Sequence, residues 1–195
     1  MSEAPEPFVV ADTAAWRAWL DAHEEETVGV WLMLAKKGTT APTTLTYAQA
    51  LDEALCSGWI DGQKRSYDAA MFLQRFTPRR PRSIWSARNV EHVARLEAEG
   101  RMRARGLAEV AAAQADGRWD RAYAGSATAE VPDDLTAALA ASPTAVAAFE
   151  GLDAANRYAV LHPIITAPNE TTRARRRDKL VAMLAAGDVP HPRPL

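Results

Sequence analysis

The chain has 195 residues, 48% hydrophobic and 25% charged, which suits one globular core, or a core with a helical annex, and excludes wholesale disorder. Its net charge of −2 excludes a polycation that coats nucleic acid with its whole surface. That total hides an asymmetry: residues 1–60 carry three bases against nine acids, residues 61–127 thirteen against eight, and residues 128–195 seven against eight.

Residues 1–8 read as a loose, acidic, proline-containing arm. They have neither the basic start nor the apolar run of a secretory signal. Asp12 is placed to cap a helix that carries Trp16, Trp19 and Leu20 and ends near His23. Val28 to Ala35 is short, apolar and rich in strand formers, and reads as a buried strand. Thr46-Tyr47-Ala48-Gln49 matches a capping box, and the helix behind it presents Leu51, Ala54 and Leu55 before stopping at Gly58. Trp59–Ser66 and Met71–Thr77 read as an antiparallel hairpin, although Asp61-Gly62 offers a competing turn.

Pro78 and Pro81 close this region. Ser83 then suits the N-cap of a helix with a core stripe of Trp85, Asn89, Val93 and Leu96, ending before Gly100. A further helix runs from about Leu107 to Ala115, and residues 118–130 read as a connection. Four short alanine-rich helices are expected beyond it. Pro132 and Pro143 are first-turn signals, and Pro163 ends or kinks the third of the four. The expected organisation is therefore α+β over 1–127, with a small antiparallel sheet of about three strands packed with helices, followed by an all-helical region over 128–195.

The single cysteine, Cys56, excludes an internal disulfide and a thiolate-rich zinc site. It sits near a helix C-terminus, which disfavours a thiolate, so it reads as a buried inert thiol. The four histidines lack the close spacing of metal ligands on one helical face. No metal and no cofactor is expected. No segment approaches the roughly 18 consecutive apolar residues of a membrane span, and the expected location is cytoplasmic.

The most unusual segment is 64–88. It holds Lys64, Arg65, Arg75, Arg79, Arg80, Arg82 and Arg88 against one acid, Asp68. Guanidinium groups present planar forks of donors that match phosphate or carboxylate. A helix beginning at Ser83 would aim its N–H groups at the same place. Arg75, Arg79, Arg80, Arg82, Ser83, Trp85 and Asn89 are therefore the candidate ligand-binding residues. The competing reading is that these arginines pair with the acidic first sixty residues or lie solvated. Asp61 is a candidate acid/base, against the simpler role of a turn or ion pair. A second basic run, Arg173, Arg175, Arg176, Arg177 and Lys179, reads as the solvated face of a helix.

The runs ALDEALCSGWIDGQKRSYD (50–68), QRFTPRRPRSIWSARNVEHVARLEAEGRM (74–102) and GLAEVAAAQADGRWDRAY (106–123), with NRYAVLH and TRARRRDKLVAML between 156 and 184, resemble the YdeI/OmpD-associated family of bacteriocin-protection proteins. The resemblance implies an α+β part followed by a helical region. It also implies a link to envelope stress or resistance to antimicrobial peptides. It implies no reaction and no catalytic residue. The functional expectation is a stress-tolerance protein that takes a small anionic ligand or an acidic protein partner on its arginines. The alternative is an enzyme with Asp61 as acid/base and the arginines as an anion clamp. That alternative requires Asp61, Arg75 and Asn89 in one pocket. Nucleic-acid binding is a third reading, with less support because core packing accounts for the tryptophans.

Overall fold

The computed structural model describes residues 6–192. The elements run α1 (Thr13–Ala22), β1 (Val30–Ala35), α2 (Tyr47–Cys56), β2 (Trp59–Ser66), β3 (Met71–Pro78), α3 (Ala87–Ala98), α4 (Ala104–Ala115), α5 (Asp133–Ala140), α6 (Pro143–Glu150), α7 (Ala154–Ile165) and α8 (Glu170–Ala185). The fold is α+β, with an open three-stranded antiparallel sheet and a helical C-terminal region. The chain packs as two compact units. One runs to Trp85 and resumes over Asn89–Arg121; the other takes Ser86–Arg88 and the chain from Ala122 onward.

In the first unit the strand order is β1-β3-β2. Local chemistry sets the helix starts. The Asp12 carboxylate accepts from the Ala15 N–H at 2.9 Å. Thr46 and Gln49 close the expected capping box, satisfying two N–H groups that the first turn leaves without partners. The outer edge of β1 is covered. The Phe8 N–H donates to the Trp31 carbonyl at 2.8 Å, the Met33 N–H to the Phe8 carbonyl at 2.9 Å and the Ala35 N–H to the Leu45 carbonyl at 2.8 Å. Phe8, expected in a loose arm, is thus fixed to the sheet, where it masks an otherwise exposed row of backbone groups. Residues 1–5 of that arm lie outside the described residues.

β1 and β3 bury side chains on both faces of the sheet, whereas β2 is exposed from Gly62 onward. Alternate residues face opposite ways, so Trp31, Met33, Ala35, Met71 and Leu73 form one cluster. On the other side Phe76 meets Trp16, and Trp16 in turn packs edge-on against Trp59. Trp16, Trp59 and Phe76 are fully buried. The indole N–H of Trp16 donates to the Ala50 carbonyl at 3.1 Å and ties α1 to α2. At Gly106 a Cβ would meet the Cys56 carbonyl oxygen at 2.2 Å, so only glycine lets α4 approach the end of α2 this closely. The Arg103 N–H donates to that same carbonyl at 3.0 Å.

The second unit has its own core of Leu135, Leu139, Ala145, Phe149, Val160, Leu161, Ile164 and Leu184. Ser142 caps α6, with Pro143 at its first position. Pro132 is the N-cap of α5 rather than its first helical residue. Pro163 does not stop α7, which runs through it to Ile165. Pro163 forfeits the N–H bond to the Ala159 carbonyl, but the helix closes beyond it, where the Thr166 N–H and hydroxyl both donate to the His162 carbonyl, at 3.1 and 2.6 Å.

Candidate functional site

The arginines of the first unit fall into two groups with different surroundings. The first lies on the β2–β3 hairpin. Arg75 pairs with Trp31 across the sheet and Arg65 with Leu73. Their guanidinium carbons lie 5.9 and 4.7 Å from the Trp31 ring centroid. The Lys64 ammonium lies 4.3 Å from the Phe72 ring. Cation–π contact seats a cation without neutralising it. Among the described residues, no carboxylate comes within 4.0 Å of Lys64, Arg65, Arg75, Arg80 or Arg82. The nearby acids are otherwise engaged. Asp68 accepts from the Ala70 and Met71 N–H groups, both at 2.7 Å, and Asp61 accepts from the Tyr47 hydroxyl at 2.7 Å.

The second group surrounds Glu53 on α2, whose side chain is 1% exposed. Arg17 grips this carboxylate with two donors, at 2.9 and 2.7 Å. Arg101 and Arg103 each add one at 2.8 Å. Arg103 also reaches the Ser57 hydroxyl at 2.9 Å and the Asp21 carboxylate at 2.6 Å. Beside it, Asp52 takes Arg95 at 2.7 Å and His92 at 3.2 Å. Burial pushes the Glu53 carboxyl up, but hydrogen bonds from Arg17, Arg101 and Arg103 outweigh it and hold the group down at about 2. This web joins α1, α2, α3 and the start of α4. Glu53 was not a candidate from sequence, because with Asp52 it reads as the polar side of an otherwise ordinary amphipathic helix. The available signal was the acidic first sixty residues set against the arginines that follow.

The seven expected ligand-binding residues separate in space. Arg79 is 4% exposed; its guanidinium carbon is 3.4 Å from the Trp85 ring centroid. Its Nη1 donates to the Ile84 carbonyl at 3.4 Å. Trp85 is 2% exposed and packs edge-on against Trp119 at 4.9 Å, while Asn89 is 8% exposed. These three are buried. Ser83 does not start a helix, since α3 begins at Ala87. Instead the Ser83 N–H donates to the Arg80 carbonyl at 2.9 Å in a turn, with Arg82 at φ 70°. The Ser83 carbonyl accepts from Arg118 at 2.8 Å. The residues that follow Ser83 are not helical, and Ser86 forms a β-bridge with Tyr123, so no helix can start at Ser83. Arg80 and Arg82 are exposed and Arg75 is half-buried.

Asp61 and Arg75 do not share a pocket. Asp61 pairs with Phe76, the residue after Arg75, so the two side chains leave opposite faces of the sheet. Asp61 turns to Tyr47 on α2, and Arg75 to Trp31. The Cys56 thiol is buried and pushed up to about 11 by that burial and by the Glu53 charge, which makes it a poor nucleophile at neutral pH. Among the described residues no group of histidine, cysteine, aspartate and glutamate could hold a metal ion. Among the described residues no helix is long and apolar enough to cross a membrane. The second basic run is not simply solvated. Arg173 makes a two-donor bond to Asp134 at 2.9 and 2.6 Å, and Arg176 donates to the Pro163 carbonyl at 2.7 Å.

Residues 8–109, just over half the chain, match the family model described as a domain of unknown function, DUF8412. The chain belongs to this family. The DUF8412 match contains β1, both arginine groups and the capping box. Residues 128–187 match a second family model, described as "Bacteriocin-protection, YdeI or OmpD-Associated". That match contains α5–α8 and confirms the resemblance for this part of the DUF8412 chain. No curated protein and no solved structure matches the chain.

Proposed function

We propose that this bacteriocin-protection-like protein works by binding, with the cationic β2–β3 hairpin holding an anionic group of a small ligand or an acidic protein partner. One observation carries the reading: Arg65 and Arg75 are seated on Trp31 with no carboxylate opposite either of them. A guanidinium held against a ring has lost part of its rotamer freedom before any ligand arrives, which lowers the cost of ordering it. Its donors remain in the plane of the fork, suited to phosphate or carboxylate. Arg80 and Arg82 add exposed positive charge farther along the chain. The reading keeps Arg75, Arg80 and Arg82 from the expected cluster, adds Arg65, and drops Arg79, Ser83, Trp85 and Asn89; Lys64, opposite Gln74 and over Phe72, leaves the other face of the sheet. The setting proposed with it is cytoplasmic.

The test is a thermal-shift titration with inorganic phosphate, pyrophosphate and a glutamate-rich peptide. A ligand that binds the native state raises the melting temperature by mass action. The expected result is a rise with at least one of the three that the Arg65→Gln/Arg75→Gln variant lacks. A rise with phosphate alone assigns a small ligand, and a rise with the peptide alone assigns an acidic partner. No rise with any of them, or an equal rise in the variant, overturns the reading. The alternative with Asp61 as acid/base draws no support from the pairing with Arg75, since the two face opposite ways.

A further inference from the structure

We propose that the helical second unit binds a free amphiphilic monocarboxylate, an alkyl or aryl chain bearing one carboxylate, in the groove formed by α5, α6 and α7. The groove is lined by Val131, Thr136, Leu139, Val146, Phe149 and Arg157, with Ala140 and Glu150 completing its wall, and its volume is about 390 Å³. That lies at the small end of the range for small-molecule sites, roughly 300–1,000 Å³. Its lining is mostly apolar, so an alkyl or aryl chain gains by leaving water there.

Polar groups of the groove select the head. Arg157, in the first turn of α7, holds its guanidinium carbon 4.5 Å from the Phe149 ring centroid. No carboxylate of the described residues comes within 4.0 Å of it. Two other arginines of this unit, Arg173 and Arg177, show what an ion-paired one looks like, since both reach Asp134. Arg157 is therefore a seated cation at the edge of an apolar groove, and a carboxylate is its natural complement. The Thr136 hydroxyl donates to the Pro132 carbonyl at 3.3 Å, which leaves Arg157 as the donor. Glu150 stands in the same wall and repels a second negative charge, so the class is a monoanion rather than a dicarboxylate or a phosphate ester. This site is separate from the hairpin, and neither proposal depends on the other.

Amide NMR of the full chain, titrated with octanoate, octan-1-ol and the dicarboxylate suberate, tests the proposal. Octanoate is expected to give saturable shifts confined to α5, α6 and α7, with about tenfold tighter binding than octanol and suberate. Arg157→Gln is expected to bring octanoate down to the level of octanol. Thr136→Glu, at an exposed position, is expected to weaken octanoate and spare octanol, which keeps the test valid if the arginine variant folds poorly. Shifts that do not saturate or that map elsewhere, octanol binding as tightly as octanoate, or full octanoate affinity in both variants would overturn it. So would a stable dimer in light scattering whose interface covers these residues and resists octanoate.

Discussion

Around Glu53 and on the β2–β3 hairpin the same side chain does opposite things. Arg17, Arg101 and Arg103 converge on one buried carboxylate, and Arg95 on its neighbour Asp52. Arg65 and Arg75 converge on one indole. In the first group each charge is met by an opposite charge and its donors are consumed. In the second the ring fixes position and leaves both charge and donors available. An arginine-rich stretch is thus not a site by composition. What decides is whether a carboxylate or a ring lies opposite, and that depends on which elements the fold brings together.

The largest expected effect breaks the first group at its centre. Glu53→Ala leaves three guanidinium groups facing one another around a buried void. Removing one partner of a buried charged network costs about 3–5 kcal/mol, so urea unfolding should show a loss of that order or no folded protein. A gentler form of the same break uses acid. The folded-state value of Glu53, about 2, is below its ordinary 4.5. Its contribution is therefore present in full above about pH 4.5 and is lost as pH falls through about 2. The loss is at most about 3 kcal/mol, reduced by the solvent that reaches the half-exposed Arg17. Denaturant midpoints should fall steeply across that window in the wild type and much less in a folded Glu53→Gln variant.

Arg79 sharpens the contrast from within the expected cluster. Arg79→Ala removes a buried cation–π stack and its packing on Trp85, worth about 2 kcal/mol. Arg80→Ala, one residue on and exposed, should stay within about 0.5 kcal/mol. If the two variants unfold at the same denaturant concentration, the separation of packing arginine from surface arginine fails. Smallest in stability is Arg65→Gln/Arg75→Gln. It should change unfolding by less than about 1 kcal/mol, because no ion pair is lost.

Much of the fold is legible in the residues. Asp12, Thr46 with Gln49, and Ser142 with Pro143 each carry their own helix start, because a cap is a local hydrogen bond. The hairpin is legible at 59–66 and 71–77, one residue short of the observed β3, although the shift in register between Asp61 and Lys64 is not. Ser83 shows the limit of local reasoning. It has the chemistry of a cap, but Ser86 is drawn into a bridge with Tyr123 and the helix starts only at Ala87. The site was less legible than the fold. Arg79 and Arg75 look alike in sequence, yet one is buried against Trp85 and the other lies half-exposed against Trp31. Glu53 was hidden for the same reason: its three partners come from residues 17, 101 and 103, and only the folded chain brings them together. The segmental charge asymmetry pointed to such pairing without naming the residues.

The most direct measurement compares anion-induced stabilisation in two variants of equal charge change, Arg65→Gln/Arg75→Gln on the hairpin and Arg17→Gln/Arg95→Gln in the web. Both lose two positive charges, so a general electrostatic effect weakens them alike. The expected result is a lower starting melting temperature but a retained rise with anion for the web variant, and an almost unchanged starting temperature with no rise for the hairpin variant. Equal rises in both, or a rise lost only in the web variant, would contradict the division of the arginines into structural and binding groups.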